Sequence, residues 1–534
     1  MRRRAGLMAG TAAVTVLTGA LGACAPSKKA AESGSGGGAE LRIATTTDVV
    51  NFNPLIGNSR TDYWLTNLMY PHLLTVGNDG SKRPSLATKW GYTNPTTGFY
   101  EIRGDMKWSD GTPLTASDVA YTLNAVKKDK PSGTLYGQLA NFSSAKAVSP
   151  TRVELKLSKP DATVIPEVGF WGNVVPEHVF GKAGSVAKFA NNANWVSAGP
   201  FRLTKVAKGQ SYTLERVTPY PFAPGGRPTV SRVVYKVYPD VNTEILALKN
   251  GDVDAIANAL PPAQVQPLKK AAGITVEEVP GLGYAHLAYN MDKKPLDNVK
   301  VRQALSHAVD YDAIRKVVLQ GQAVSTGSSP IMPVLKQFHD PSLQEYTFDP
   351  AMARKLLQDA GYTADGSGKF PLSFRMIYSL QDPVTAQWAT LVRDDAAKAG
   401  ITIKPQGLER NTYLAKTDAG DYDIYAGNFA IMDDPATNMT LTYLPKGIIN
   451  YSHVDASDLS TLVTKAQATT DVNEQKKLVQ AAAKLVHDQV YDNVMYTQNL
   501  YVAHRSNWTG FVVKPSELLS IVDPQSLANV KSSS

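Results

Sequence analysis

From residue 41 onward, short apolar runs of period two alternate with stretches whose apolar residues recur at helical spacing. Leu41-Arg-Ile-Ala-Thr-Thr-Thr is a β-branched run that ends in the turn chemistry of Asn51, Asn53 and Pro54, which predicts a strand. Further strands are predicted at 152–157, 230–237, 282–289, 374–378 and 401–404. Thr115-Ala-Ser-Asp118 has the spacing of a capping box, with Val119, Leu123 and Val126 following on one helical face. Asp349-Pro350 opens a second helix, carrying Ala353, Leu356, Leu357 and Ala360 on one side and closed by Gly361. Val301, Leu305, Ala308 and Val309 mark another helix, and Leu478, Leu485 and Val486 a late one. Strand and helix signals are interleaved along the chain without a repeat period, so the class is mixed α/β with several sheets.

The first 40 residues break this pattern. Arg2, Arg3 and Arg4 precede an uncharged stretch from Ala5 to Ser27, in which threonines and glycines dilute the leucines and valines. A basic start before a short apolar core is the pattern of a cleaved signal peptide, expected over 1–23. Leu21-Gly-Ala-Cys24 resembles the lipobox of bacterial lipoproteins, which implies that Cys24 becomes an acylated first residue; Arg3-Arg4 leaves both the general and the twin-arginine export routes open. Residues 24–39 are small, polar and glycine-rich, the composition of a flexible tether with a reach of about 20 Å.

Composition excludes several function classes. Two or three domains are expected for 534 residues, and the 24 Tyr, 14 Phe and 7 Trp are enough to fill their cores. Cys24 is the only cysteine, so no intramolecular disulfide or thiolate metal centre is possible. Removing residues 1–23 takes three Arg from a chain of net charge +8 and leaves +5, without a Lys/Arg block beyond Lys28-Lys29; no nucleic-acid groove is expected. No hydrolase elbow, zinc-protease helix, phosphate-binding loop or dinucleotide fingerprint occurs. The eight His are never paired at ligand spacing on a helix, and Asp252-Val-Asp254 lacks the glycine an EF-hand loop needs, since Leu246 to Asn250 continues as a helix stopped by Gly251. Neither cofactor nor metal is expected, and no catalytic residue.

A series of marks spans nearly the whole chain beyond the tether. Pro84-Ser-Leu-Ala-Thr-Lys-Trp90, Phe99-Tyr-Glu-Ile-Arg103 and Met106-Lys-Trp-Ser-Asp-Gly-Thr-Pro-Leu-Thr-Ala-Ser-Asp-Val-Ala-Tyr121 are followed by Ala198-Gly-Pro-Phe201, Leu246 to Asp254, Leu287-Ala-Tyr-Asn290, Asn298 to Leu305, Ala353 to Tyr362 and Tyr422-Asp423. In this order they resemble the family 5 extracellular solute-binding proteins of ABC importers, the oligopeptide and dipeptide group. Their physical content is partly structural: Trp108 to Pro113 is a strand end and a tight turn at Asp110-Gly111, and Arg302 is expected on a solvated or hinge-facing side of its helix.

The resemblance implies a two-lobed periplasmic-binding-protein-like fold with mixed sheets and an accessory subdomain, its ligand enclosed by hinge closure. Lobe I is expected at 40–75, 195–285 and 495–530, the accessory subdomain at 76–194 and lobe II at 286–494, with crossings near 284–290 and 494–497. The implied function is capture of a peptide or similar solute by a monomer held on the outer face of the plasma membrane through an N-terminal lipid, and its delivery to the permease subunits. An oligosaccharide ligand and a secreted surface hydrolase are the alternatives. In the family, ligand lies between the loop after the first strand and a strand–loop of the second lobe, where an acid four residues before a Pro receives a peptide's amino group. The matching candidates are Asn58, Ser59, Arg60 and Trp64 from the first segment and Asn428, Phe429 and Asp433 from the second, with Trp171 a lesser one. Four residues before Pro435 stands Ile431, which cannot bind an ammonium, so either Asp433 takes that part or the ligand offers no free α-amine there.

Overall fold

The computed structural model describes residues 38–57 and 59–533; the signal segment, Cys24, residues 25–37 of the tether and Asn58 lie outside the described residues. The chain from 38 onward builds two lobes, each around its own large sheet.

In the first lobe the strands Ile274–Val279, Leu500–Arg505, Ala255–Ile256, Glu40–Thr45, Arg232–Val237, Ser211–Arg216 and Phe201–Ala207 lie side by side in that order. Period-two burial explains why Glu40–Thr45 sits at the centre: Leu41 and Ile43 are fully buried, each gaining roughly 1.5–3 kcal/mol from leaving water. Arg42 forks onto Asp254 at 2.9 and 2.8 Å, so the Asp252-Val-Asp254 motif ties two strands together. A separate antiparallel sheet runs Ala87–Asn94, Thr97–Ile102, Arg152–Leu157, Phe142–Ser149, with the helix Ala116–Asp129 against its edge. That helix begins as its sequence requires, the Asp118 carboxylate accepting the Thr115 N–H at 2.9 Å.

In the second lobe the order is Ala323–Val324, Asn493–Gln498, Tyr284–Tyr289, Ile424–Phe429, Ser373–Ser379, Thr402–Leu408. Tyr284–Tyr289 is antiparallel to both neighbours, whereas Ser373–Ser379 runs parallel to its own. Helices Val299–His307, Pro350–Asp359 and Pro383–Lys398 cover one core, while Ser457–Ala468 and Val472–Gln489 enclose another with Leu282 and Tyr284.

Arg302 departs from expectation. It is buried, and its guanidinium donates to the carbonyls of Leu296, Asp297, Gln489 and Val490 at 2.7–3.1 Å, stapling its helix to the end of Val472–Gln489. A guanidinium has enough donors to satisfy those terminal carbonyls without leaving any of them unpaired.

The chain passes from the first sheet to the second between Val279 and Tyr284 and returns between Gln498 and Leu500. Two glycines allow these passages to touch. A Cβ at Gly281 would stand 2.2 Å from the Gln498 carbonyl oxygen, and one at Gly283 would stand 1.8 Å from that of Phe429.

Candidate functional site

Beside these passages lies a cleft of about 380 Å³ walled by both lobes: Gly281 to Ala285, Asn428 to Ile431, Asp382 and Thr385 on one side, Arg60 and Ser516 to Leu518 on the other. The wall at Asn428 to Ile431 is the end of strand Ile424–Phe429. Phe429 pairs in register with Tyr284, Ile431 forms a parallel bridge with Leu282, and the Met432 N–H donates to the Leu282 carbonyl at 2.7 Å. Because side chains alternate along such a segment, Ile431 faces the cleft and Met432 enters the core behind it.

The Phe429 ring stands on an aromatic floor. It lies 4.5 Å from the His286 ring and 5.3 Å from that of Tyr284, edge-on to the latter. His286 Nδ1 is 2.7 Å from Asp492 Oδ1, both side chains being 1% exposed, and Asp492 Oδ2 accepts the Tyr443 hydroxyl at 3.1 Å. A carboxylate partner places the imidazole proton on Nδ1 and leaves Nε2 buried without a partner. This dyad holds Phe429 in place and does not reach the cleft.

Polar groups in the cleft are few. Asn428 donates its amide to Asp382 Oδ2 at 2.7 Å, and Asp382 caps the helix Pro383–Lys398 by accepting the Thr385 N–H at 3.0 Å. Across the cleft, the half-exposed Arg60 guanidinium pairs with Glu517 at 2.7 Å. Such an exposed pair contributes at most about 1 kcal/mol and is free to re-pair with a bound solute.

The sequence candidates thus separate. Arg60, Asn428 and Phe429 come together in the cleft. Ser59 caps the helix Arg60–Met69 through a 3.0 Å bond from the Asp62 N–H. Trp64 is buried behind that helix, where its indole donates to the Leu518 carbonyl at 3.1 Å and holds the loop that carries Glu517. Trp171 donates to Glu167 at 3.2 Å.

Asp433 faces a second chamber of about 600 Å³, also shared by the lobes, with Trp90 and Tyr92 from the first and Leu335 and Phe338 from the second. Its Oδ2 lies 2.7 Å from the Lys82 ammonium, which is also 3.1 Å from Glu167 Oε1. All three groups are nearly buried. Burial by itself lowers the Lys82 pKa, yet the Asp433 and Glu167 charges outweigh it and carry the ammonium above the usual lysine range. Glu167 is pushed up, first by burial and then by Asp433, against the opposing pull of Lys82. Lys82, Glu167, Asp382 and Glu517 went unseen in the sequence, because no local spacing marks a pair such as Lys82 and Asp433, 351 residues apart.

Two lobes joined by two strand passages, with a largely apolar cleft carrying a few polar groups at the joint, define a solute-binding protein. The chain belongs to the bacterial extracellular solute-binding proteins, family 5, whose family model (Middle) matches residues 82–450. It is 28% identical to the dipeptide-binding protein of Escherichia coli K12 over 493 residues, 87% of this chain and 90% of that one. Its fold is similar to the ABC transporter substrate-binding protein CtaP from Listeria monocytogenes, with a TM-score of 0.82 at 22% identity, covering 93% of this chain and all of that one. It is also similar to the oligopeptide-binding protein AppA of Bacillus subtilis, solved with a nonapeptide: TM-score 0.71, 21% identity, 93% of this chain and 99% of the other. The family consists of extracellular or periplasmic components of importers rather than enzymes.

Proposed function

We propose that this protein is the lipid-anchored substrate-binding component of an ABC importer, a monomer that encloses a peptide or similar small solute between its lobes by hinge closure and delivers it to the permease. The observation that carries this reading is the cleft at the joint of the lobes, where Arg60 and Glu517 face Asn428, Phe429 and Asp382 and where separating the lobes would open a path for solute. The dipeptide-binding and nonapeptide-bound relatives favour peptides as the solute class. In this reading the accessory subdomain spans 76–194, lobe I 40–75, 195–279 and 500–530 and lobe II 284–498, behind a signal peptide 1–23 and a tether 24–39 that begins at the acylated Cys24; the crossings expected near 284–290 and 494–497 move to 280–283 and 499, because those segments are strands of the second sheet. Asn58 and Ser59, which precede Arg60 in the sequence, are kept as proposed ligand contacts.

The ligand's amino end is the finer question. Asp433 already holds the Lys82 ammonium, and Ile431 is apolar, so the segment 431–433 offers no unpaired anion to a ligand. An ammonium enclosed without an anion costs several kcal/mol, so the solute presents no free α-amine to this segment. A thermal-shift screen of peptides and sugars, followed by scattering on the hits, tests the whole reading. A ligand at 100 times its Kd raises stability by about 2.7 kcal/mol. The expected hits are peptides, recovered unchanged, that shrink the protein, with N-acetylated and free forms binding within tenfold of each other. Stabilisation by sugars alone, or conversion of the hit, would overturn the peptide reading; a tenfold preference for the free amine, kept in Asp433→Asn, would overturn only the account of the amino end.

A further inference from the structure

The Lys82 cluster is built from both lobes. Lys82 starts the short strand Lys82–Pro84, paired with Leu74–Val76, and Glu167 lies on the helix Val164–Trp171 that packs on Leu74–Val76; both belong to the first lobe. Asp433 and Asp434 follow the strand Ile424–Phe429 of the second, Asp434 capping the helix Pro435–Tyr443 by accepting the Thr437 N–H at 2.8 Å. The Lys82 ammonium also sits 4.1 Å from the centre of the Phe170 ring, so its remaining side is apolar. Nearby, the Ala162 N–H donates to the Gln467 carbonyl at 2.6 Å, a second direct bond from lobe to lobe.

We propose that Lys82 is a positioning residue for ligand capture: its ammonium bolts the lobes together in a carboxylate cage of Glu167, Asp433 and Asp434 that is complete only in the closed form. This rests on the reading that the lobes open and close around a solute. Opening carries Asp433 and Asp434 away with the second lobe, and leaves Lys82 and Glu167 facing water on the first.

Three carboxylates around one ammonium do not balance, and closure therefore involves a proton. Facing Glu167 are Lys82 from its strand, Asp433 and Asp434 from the second lobe, Tyr100 from the antiparallel sheet and the Trp171 indole from its own helix. Arg83 at the chamber mouth is occupied by Asp79 at 3.0 Å. Lys82 is thus the cation that reaches the cage, and the excess negative charge is relieved when Glu167 binds a proton on closing. In the open form Glu167 is hydrated, its second-lobe acids have left, and the proton is released at neutral pH. Raising the pH therefore favours the open form, by up to about tenfold per unit for one proton.

Single-molecule energy transfer reads the open-to-closed ratio without added solute. Dyes are placed on Leu246→Cys in the first lobe and Ile448→Cys in the second, both exposed, in full chain carrying Cys24→Ala. The parent is expected to show two distances, with the open-to-closed ratio rising at least threefold per unit from pH 6 to 8. Lys82→Met should raise that ratio at least fivefold at pH 6 and steepen its pH dependence, since more protons must then enter the cage. Glu167→Gln should remain closed and lose the pH dependence, and Lys82→Arg should stay within threefold of the parent. Asp433→Asn should raise the ratio as Lys82→Met does but weaken its pH dependence, because it removes the charge that helps hold the proton on Glu167, and the double variant should be no more open than either, which separates the bolt from a folding defect. A Lys82→Met ratio within twofold of the parent, or an undiminished pH dependence in Glu167→Gln, would overturn the proposal. A single distance at every pH in every variant would instead sink the hinged reading, and the bolt with it.

Discussion

Glu244 offers a quantitative test of the first lobe. It lies on the helix Val241–Asn250, fully buried, and neither carboxylate oxygen has a hydrogen-bond partner. Burial, with a smaller contribution from the Asp240 charge, pushes its pKa from 4.5 up to about 8. The folded form keeps the proton that the unfolded chain gives up above about pH 4.5, so the contribution of Glu244 to stability is fully present below that value and is lost as pH rises towards 8. At 1.36 kcal/mol per unit, the loss by pH 7 is about 3 kcal/mol. Glu244→Gln has nearly the shape of the protonated acid and never ionises. Urea unfolding of parent and variant between pH 4.5 and 8, following the first lobe, should show the variant gaining on the parent by about 1.4 kcal/mol per unit and by about 3 kcal/mol at pH 7. A difference that stays constant across this range would refute the reasoning, because it would mean that Glu244 is ionised in the folded protein.

Two further outcomes are expected. Gly283→Ala, whose Cβ must displace the Phe429 carbonyl, should destabilise the protein by about 3 kcal/mol and weaken ligand capture, whereas Gly137→Ala, with nothing within 4 Å, should be close to neutral in the same melts. Cys24→Ala should move the protein from the membrane to the soluble fraction on cell fractionation, since acylation at that residue is the proposed anchor and stable attachment needs more than one acyl chain; a variant as firmly bound as the parent would exclude acylation as the anchor.

What the sequence shows clearly is what nearest neighbours decide. The box at Thr115 and Asp118, the cap at Asp349 and the turn at Gly111, whose φ is +91°, are each specified within a few residues and are present as expected. The strand Arg152–Leu157 follows from its alternation alone. Within the site, the family resemblance offers seven candidates, of which Arg60, Asn428 and Phe429 share the cleft, whereas Ser59 caps its helix, Trp64 is buried and Asp433 is held by Lys82; Asn58 lies outside the described residues. Where pairing is long-range, the local pattern is silent. Arg302 looks like a surface charge until the Gln489 and Val490 carbonyls arrive from far along the chain, and Lys82 and Glu167 are ordinary polar residues until Asp433 closes on them. Glycines at 281 and 283 gain their meaning only from the carbonyls they admit.

The order of strands in the first lobe also bears on biosynthesis. Leu500–Arg505 lies between Ile274–Val279 and Ala255–Ile256, so the seven-stranded sheet is spanned by a segment made some 220 residues after its neighbours. Until that segment emerges, strand Ile274–Val279 has no partner and Ala255–Ile256 has an open edge, which is an aggregation hazard. Closing so distant a pairing is slow. The fold therefore delays its own completion until almost the whole polypeptide is available, and a chain truncated before residue 500 would expose that unpaired strand to proteases and to other chains.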